Sequence, residues 1–586
     1  MNRLSSAFAE SRLVGSIAAV MLAAAASGTH AAPLETLTIA VNTGFTTMDP
    51  WDATDNLSRT AARSFYESLY TFDKNLKPTP QLAESVDISP DGRIYTFKLR
   101  QGVKFHDGTI LDAEAVKLSF ELGASQDLKR TRRNFFNFVE KIEAADQYTV
   151  RFTLKSPMTA FLERLSNGTA AIACPSLLAR AKTKQALAFE ACGTGPYKLV
   201  RFNPAEELLV ERNPDYRVPG LPKFKALRWV PVVENSTRAA MLQTGEAQFI
   251  QMAPVEQIPV LKANPNLAVN VVPSVVMRYM SMNMNEKPFD NPKVRQAVNY
   301  AINKQALCKV AFSGYARPAD GVIPEQIPNA VKLGPWPYDP KKARELLKEA
   351  GYPNGFKTTL WSAFNNTTAV KTMQFVQQQL AQVGIKAEAR ALEAGQRVQV
   401  YGNKDPKKAP NRLYIIGWSN STVDPDWGMR PALYSKNQPP VLNNEAYYQN
   451  PKVDALLDQA LADTDPAKRA AEYKELQEMV WQDAPWAFLV FEDVTSAANK
   501  HLKNFNTLAT AASNSIRPSG RKTEGLCSLP LRLRHKQTSS ENGFGAQRTV
   551  YSAVESSLQK ENKTDAFNGD DSRLPASSLD SWAGVS

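Results

Sequence analysis

The chain of 586 residues has only four histidines and four cysteines, and this scarcity narrows the chemistry open to it. No Cys-x-x-Cys spacing and no paired histidines occur, so a zinc site is not expected. The Gly-x-Ser-x-Gly elbow, the Walker loop and His-Glu-x-x-His are absent too. We therefore predict a protein that is not an enzyme and that carries no cofactor.

Long apolar runs are also absent, apart from residues 13–26. Arg3 and Arg12 lie near this run, and the small-x-small segment Thr29-His30-Ala31 follows it. The pattern is typical of a cleaved secretory signal peptide. The run is shorter than the ~20 apolar residues that span a membrane. We expect residues 1–31 to be a signal peptide and the rest to be exported and soluble; an uncleaved N-terminal anchor is the alternative.

The positive charge of the chain, +12, is spread along the sequence rather than gathered in blocks. A diffuse positive balance suits an anionic ligand or surface. No nucleic-acid motif and no stripe of basic and aromatic residues occurs, so nucleic acid is not expected as a partner.

Two of the cysteines, Cys174 and Cys192, flank a helix-like segment. An oxidising compartment favours a disulfide between them. Closing a loop of that size stabilises a fold by about 3 kcal/mol in the chain-entropy model. Two buried thiols are the alternative.

Strand-like and helix-like segments alternate through the chain, which predicts an α/β fold. Residues 95–99 alternate like a strand, and Asp55 and Asp112 are candidates for capping the helices that follow them. Residues 280–285 alternate strictly, which suits a strand that crosses between two parts of the molecule. From about residue 507 the periodicity fades into a polar tail.

Five segments, in this order, resemble the extracellular solute-binding proteins of family 5, which serve ABC importers of dipeptides, oligopeptides, nickel and glutathione. They are RQGVKFHDG with LDAEAV at 100–116, GTGPY at 193–197, TRAAML with GE at 237–246, PFDNPKVR at 288–295, and GW at 417–418. The resemblance covers about residues 36–505. WPYDP at 336–340 and AGQR at 394–397 look most similar to glutathione-binding members.

This resemblance implies a two-lobed α/β fold, the type II periplasmic binding protein fold, with an extra domain inserted in the first lobe. A ligand would lie between the lobes and select their closed state. The implied divisions are lobe one at 32–65, 205–285 and 496–506, the inserted domain at 66–204, and lobe two at 286–495. The family's usual ending is not recognisable after Phe505, so we predict an irregular, non-native tail at 507–586, with a change of reading frame as the hypothesis.

The function that the resemblance implies is ligand binding without catalysis. The protein would be a periplasmic monomer that binds glutathione or a short peptide and delivers it to an inner-membrane ABC permease. The alternatives are a binder of another solute, such as an oligopeptide, haem or a nickel chelate, and a periplasmic chaperone or sensor.

Two departures from the family bear on the ligand. Relatives that bind ordinary peptides hold the terminal amine with an Asp three residues after Gly-Trp, through a charge-assisted hydrogen bond. Here that position is Ser421, and Asp424 and Asp426 follow, so we expect the amine partner at a shifted place. The Arg that dipeptide-binding relatives use is missing from residues 362–366. Both departures favour a ligand whose charged ends are placed as in glutathione.

Partners for the ligand carboxylates must then come from elsewhere. Arg278 and Arg397 are the candidates, because an Arg can hold a carboxylate through two parallel hydrogen bonds. A surface charge or a structural ion pair is the alternative for each. We expect Trp418 to supply an apolar wall and Thr46 to donate a hydrogen bond, with core packing and turn stabilisation as their alternatives.

Overall fold

Strands form in this protein where apolar side chains alternate or run together. The computed structural model describes residues 34–502, except 54, 184, 394–395, 397–404 and 411. In the strand Ile94–Leu99 the side chains of Tyr95, Phe97 and Leu99 are buried, and those between them are more exposed. The strands are β1 (Leu34–Val41), β2 (Tyr70–Phe72), β3 (Pro78–Pro80), β4 (Ala83–Ile88), β5 (Ile94–Leu99), β6 (Val139–Asp146), β7 (Thr149–Leu154), β8 (Tyr197–Asn203), β9 (Glu207–Arg212), β10 (Phe224–Pro231), β11 (Phe249–Gln251), β12 (Leu267–Met282), β13 (Ala316–Pro318), β14 (Phe356–Ser362), β15 (Ile385–Ala391), β16 (Leu413–Ser419) and β17 (Trp486–Asn499).

Most of the described helices begin where a polar side chain accepts a hydrogen bond from the first turn, the exceptions being those at Phe161–Leu165, Pro175–Arg180 and Ile258–Ala263. Asp55 accepts from the N–H of Ser58, and Asp112 from that of Ala115, so both predicted caps are present. No helix in the described ranges is long and apolar enough to cross a membrane. The helices are α1 (Asn56–Ala62), α2 (Ala113–Ala124), α3 (Phe161–Leu165), α4 (Pro175–Arg180), α5 (Asn235–Thr244), α6 (Ile258–Ala263), α7 (Pro292–Ala301), α8 (Lys304–Phe312), α9 (Pro340–Glu349), α10 (Thr367–Gln382), α11 (Pro425–Leu433), α12 (Pro451–Ala462) and α13 (Pro466–Asp483).

Three predictions fall wholly outside the described residues: the signal peptide, the tail at 507–586 and Arg397. We keep the names lobe one, inserted domain and lobe two for the ranges of chain defined above.

One eleven-stranded sheet runs through both lobes. Its order is β15-β14-β16-β12-β17-β11-β1-β10-β9-β8, and β13 also pairs with β17. The two long strands β12 and β17 pair with each other, and β12 pairs with β16 while β17 pairs with β11. The chain therefore passes between the lobes through a pair of hydrogen-bonded strands. The ladder of that pair is irregular between Pro273 and Met277.

The inserted domain has its own antiparallel sheet, in the order β4-β5-β7-β6. Its centre is aromatic: the ring of Phe152 lies 5.7 Å from Phe97, 4.9 Å from Phe120 and 5.6 Å from Phe161. These side chains belong to the same hydrophobic cluster as Leu37 in β1 of lobe one. The inserted domain and lobe one thus share one core.

The pairing of β8 bears on the predicted limits of the inserted domain. β8 falls within the range 66–204, but it pairs with β9 at the edge of the large sheet. Its hydrogen bonds therefore connect it to lobe one.

Within the inserted domain, a disulfide joins Cys174 and Cys192, whose Cα atoms are 5.6 Å apart.

Candidate functional site

Thr46 lies in the loop after β1, where it ties the loop to α1. Its hydroxyl donates to Asp55 Oδ2 at 2.5 Å, and its N–H donates to Ser58 Oγ at 2.9 Å. Asp55 in turn caps the helix. The contacts of Thr46 are thus those of a turn-stabilising residue, and its hydrogen bond to a ligand stays a prediction.

Arg278 in β12 forms a two-point contact with a carboxylate, but that carboxylate belongs to the protein. Its Nε and Nη2 donate to Glu492 Oε1 and Oε2 at 2.6 and 2.9 Å. Gly417 leaves room for the guanidinium, since a Cβ there would lie 2.6 Å from Nη1. The pair connects β12 to β17 close to the irregular part of their ladder. A ligand carboxylate at Arg278 would have to compete with Glu492.

Trp418 and Ser421 lie where lobe two meets the inserted domain. Trp418 packs both on the core that the inserted domain shares with lobe one and on a core cluster of lobe two. Its Nε1 donates to the carbonyl oxygen of Trp427 at 2.8 Å. Asn167 of the inserted domain donates to Ser421 Oγ at 3.0 Å. These two predicted residues therefore share one region between the lobes.

Asp424 and Asp426 are buried at the start of α11, and each is paired with arginine. Asp426 accepts from Arg164 Nη2 at 3.0 Å and from Arg430 Nε at 2.6 Å. Asp424 accepts from Arg469 Nη2 at 2.5 Å. Burial raises the pKa of the Asp424 carboxyl, although the positive charge of Arg469 opposes this. Both predicted amine partners thus have arginine partners of their own.

Two arginines that the sequence analysis did not single out, Arg59 and Arg132, lie in the same region. Arg132 Cζ is 5.9 Å from the ring centroid of Trp427, and its Nε is buried without a hydrogen-bond partner in the described part of the chain. Arg59 bonds the side-chain oxygen of Asn56. No ion pair joins either guanidinium to a carboxylate among the described residues.

The two guanidiniums repel each other. Burial lowers the pKa of Arg132 well below its usual value, and the charges of Arg59 and Arg164 lower it further. Burial also lowers the pKa of Arg59 to about 10, against the attraction of Asp55. We call Arg59, Arg132 and Arg164 the arginine cluster. Arg164 is paired with Asp426, but a partly buried cation without a carboxylate partner is costly, so Arg59 and Arg132 attract an anion.

Aromatic rings enclose the arginine cluster. Arg164 Cζ lies 4.3 Å from the ring centroid of Trp427, a cation–π contact, and the ring of Phe135 lies 5.3 Å from Trp427. Lobe one supplies Arg59, the inserted domain supplies Arg132 and Arg164, and lobe two supplies Trp427. The arrangement can hold an anionic group between the lobes, with an indole as one wall.

Sequence reasoning missed Arg132 because it lies in a basic stretch, residues 129–133, which resembles a solvated surface. Residues of this stretch in fact lie in two environments, one buried and one exposed to solvent. Arg130 is fully buried and paired with Asp49 at 2.7 Å, whereas Lys129 is exposed. The available signal was the aromatic segment that follows directly, Phe135 and Phe136, which anchors the stretch in the core.

The sequence matches a model of a known family over residues 77–440, that of the bacterial extracellular solute-binding proteins, family 5. The chain belongs to this family. It is 50% identical over 467 residues to glutathione-binding protein GsiB of Pectobacterium atrosepticum, covering 80% of this chain and 90% of that protein. It is 48% identical over 489 residues to GsiB of Escherichia coli K12, covering 83% and 95%.

Solved structures of family-5-like binding proteins share the fold. The periplasmic binding protein DppA from Helicobacter pylori, in complex with the peptide STSA, aligns with a TM-score of 0.76 at 30% identity, covering 83% of this chain and 98% of that one. NikZ from Campylobacter jejuni, in complex with Ni(L-His), aligns with a TM-score of 0.70 at 26% identity, covering 81% and 96%. The predicted fold class is confirmed: an α/β, two-lobed periplasmic binding protein fold.

Proposed function

We propose that this family 5 protein captures glutathione between its lobes in the periplasm and delivers it to an inner-membrane ABC permease, acting as a monomer without catalysis. The observation that carries the proposal is the pair Arg59 and Arg132, two half-buried arginines without a carboxylate partner among the described residues. Relatives of about half-identical sequence are named glutathione-binding proteins, which supports the same ligand.

The chemistry of glutathione suits the arginine cluster. The tripeptide carries two carboxylates and one ammonium, so it is anionic at neutral pH. Each carboxylate can accept a pair of hydrogen bonds from one guanidinium, and such charge-assisted bonds are stronger than neutral ones. The indoles of Trp427 and Trp418 offer apolar surface for the rest of the ligand.

A short peptide is the second candidate, because DppA of H. pylori was solved with one. An ordinary peptide needs a carboxylate for its terminal ammonium. Asp424 and Asp426 each carry arginine partners already, and the family position for that carboxylate is Ser421. Glutathione carries one ammonium as well, so the missing amine partner does not separate the two ligands. Glutathione is favoured because its two carboxylates match Arg59 and Arg132, whereas an ordinary peptide brings one.

The proposal predicts that Arg132→Met weakens the binding of glutathione by about 30-fold, the equivalent of roughly 2 kcal/mol for one charged hydrogen-bond pair. Methionine keeps an apolar chain over Trp427 but lacks the positive charge and the N–H donors of the guanidinium. Isothermal titration calorimetry of both proteins with glutathione measures the change. Arg151→Met, at an exposed position in β7 of the same domain, is the matched control and is expected to bind normally.

The same titrations separate the candidates. Binding of Ser-Thr-Ser-Ala with no response to glutathione would refute glutathione as the ligand and favour the short peptide. Arg397→Ala tests the remaining predicted carboxylate partner, and loss of glutathione binding there would support it.

A further inference from the structure

A buried interface joins the inserted domain to lobe two beside the proposed site. Helix α3 contributes Arg164, whose Nη2 donates to Asp426 of α11 at 3.0 Å; the side chains of both are nearly inaccessible to water. Asp424 at the start of α11 is held by Arg469 of α13. The interface therefore contains one ion pair between α3 and lobe two and a second, Asp424–Arg469, within lobe two.

Glu163, the residue before Arg164, adds to this interface a carboxyl that forms no ion pair with any of the described residues. Its Oε2 is buried and has no hydrogen-bond partner within the described ranges. Asp424 faces it with a second negative charge, and Arg469 supplies the positive one. Because Asp424 and Arg469 are already paired, the ionised form of Glu163 is poorly supported. Burial, followed by the charge of Asp424, raises the pKa of Glu163 from 4.5 to about 7.

The neutral and positive groups that face Glu163 keep their charge state over the same pH range. Tyr95 of β5 stays neutral, since burial raises its pKa to about 12, and Arg164 and Arg469 stay positive. Burial raises the pKa of Asp424 too, although the charge of its partner Arg469 opposes this. Because Asp424 is paired with Arg469 and Glu163 Oε2 has no hydrogen-bond partner in the described residues, substitution of Glu163 alone measures its own contribution.

The interface depends on how the lobes are arranged. Glu163 belongs to the inserted domain, which shares its core with lobe one, whereas Asp424 and Arg469 belong to lobe two. The described chain crosses between the two sides through β12 and β17. A rotation at these strands that opens the cleft separates α3 from α11 and returns Glu163 to water.

We propose that acidic conditions strengthen the retention of the ligand, because closure of the lobes places Glu163 against the Asp424–Arg469 pair. This regulation rests on the proposed function, since it acts on the same closed state. The closed form binds the proton of Glu163 more tightly than the open form does. Closure is therefore favoured as the pH falls through about 7, and the gain levels off below the usual pKa of glutamate.

The test is calorimetric titration with glutathione at about pH 6 and about pH 8. The wild-type protein is expected to bind about tenfold more tightly at the lower pH. The carboxyls of glutathione are ionised throughout, since ordinary α-carboxyls titrate near pH 3.5. Glu163→Gln should bind as tightly at the higher pH as at the lower one. Glu121→Gln, which removes an exposed charge from α2, should keep the tenfold dependence.

The outcomes are distinct. Equal affinity of the wild-type protein at both pH values overturns the inference and leaves the proposed function intact, and this result does not depend on any variant folding. A dependence that persists unchanged in Glu163→Gln also overturns it. Failure of the wild-type protein to bind glutathione at either pH refutes the proposed function, and the inference with it.

Discussion

The arginines of this protein differ in where their negative partners come from. Arg130 is buried with Asp49, and Arg278 is held by Glu492 across two strands. Arg59 and Arg132 have no such carboxylate in the described part of the chain. Removing a partner from a buried pair leaves an unpaired charge, which destabilises the fold, whereas an arginine left unpaired by the protein can be paired by a ligand.

Arg278→Met distinguishes a structural role for Arg278 from binding. We expect it to lower the free energy of unfolding by about 1–3 kcal/mol, because Glu492 loses a charged partner in a half-buried place. Chemical denaturation measures this, and Glu492→Gln added to the same chain should cost little more. A glutathione affinity that falls tenfold with unchanged stability would instead assign Arg278 to the ligand.

The residues of the site could be predicted only in part. Trp418 was predicted as part of a recognisable Gly-Trp and Ser421 from its position three residues later; both lie in the region between the lobes, and their contact with a ligand stays a prediction. Arg59 and Arg132 could not be predicted as site residues. Arg132 lies close to Arg59 and to Trp427, and both are distant from it in sequence. Local pattern carries no information about such contacts.

Elements were more predictable than site residues, because their signals are local. The caps Asp55 and Asp112 and the alternation of residues 95–99 identified α1, α2 and β5. The crossing strand was expected at residues 280–285, but β12 ends at Met282 and begins at Leu267. Its alternation did not mark an exposed face, since Met280, Ser281 and Met282 are all buried between layers.

The disulfide between Cys174 and Cys192 is expected to stabilise the fold by closing a loop of the chain. Replacing both cysteines with serine should lower the free energy of unfolding by about 3 kcal/mol, because the unfolded chain regains the freedom of a loop with a sequence separation of 18. Thermal unfolding with and without a reductant measures it. The reductant should shift the wild-type protein and leave the double variant unchanged; equal shifts would contradict the disulfide's role.

At the scale of the whole molecule, the proposed function requires the lobes to close over the ligand. We expect saturating glutathione to decrease the radius of gyration in small-angle X-ray scattering, because a ligand that contacts both sides stabilises the closed state. Arg132→Met at the same glutathione concentration should show a smaller decrease. Identical profiles with and without glutathione in the wild-type protein, under conditions where calorimetry shows binding, would contradict closure.

Because β12 and β17 pass through both lobes, they determine how the backbone can move when the lobes close. A crossover made of loops moves by free rotation of a few backbone bonds, whereas a crossover made of paired strands moves by twisting a continuous ribbon. We therefore expect opening and closing of the lobes to change the twist of the β12–β17 pair rather than to break the hydrogen bonds that join its strands.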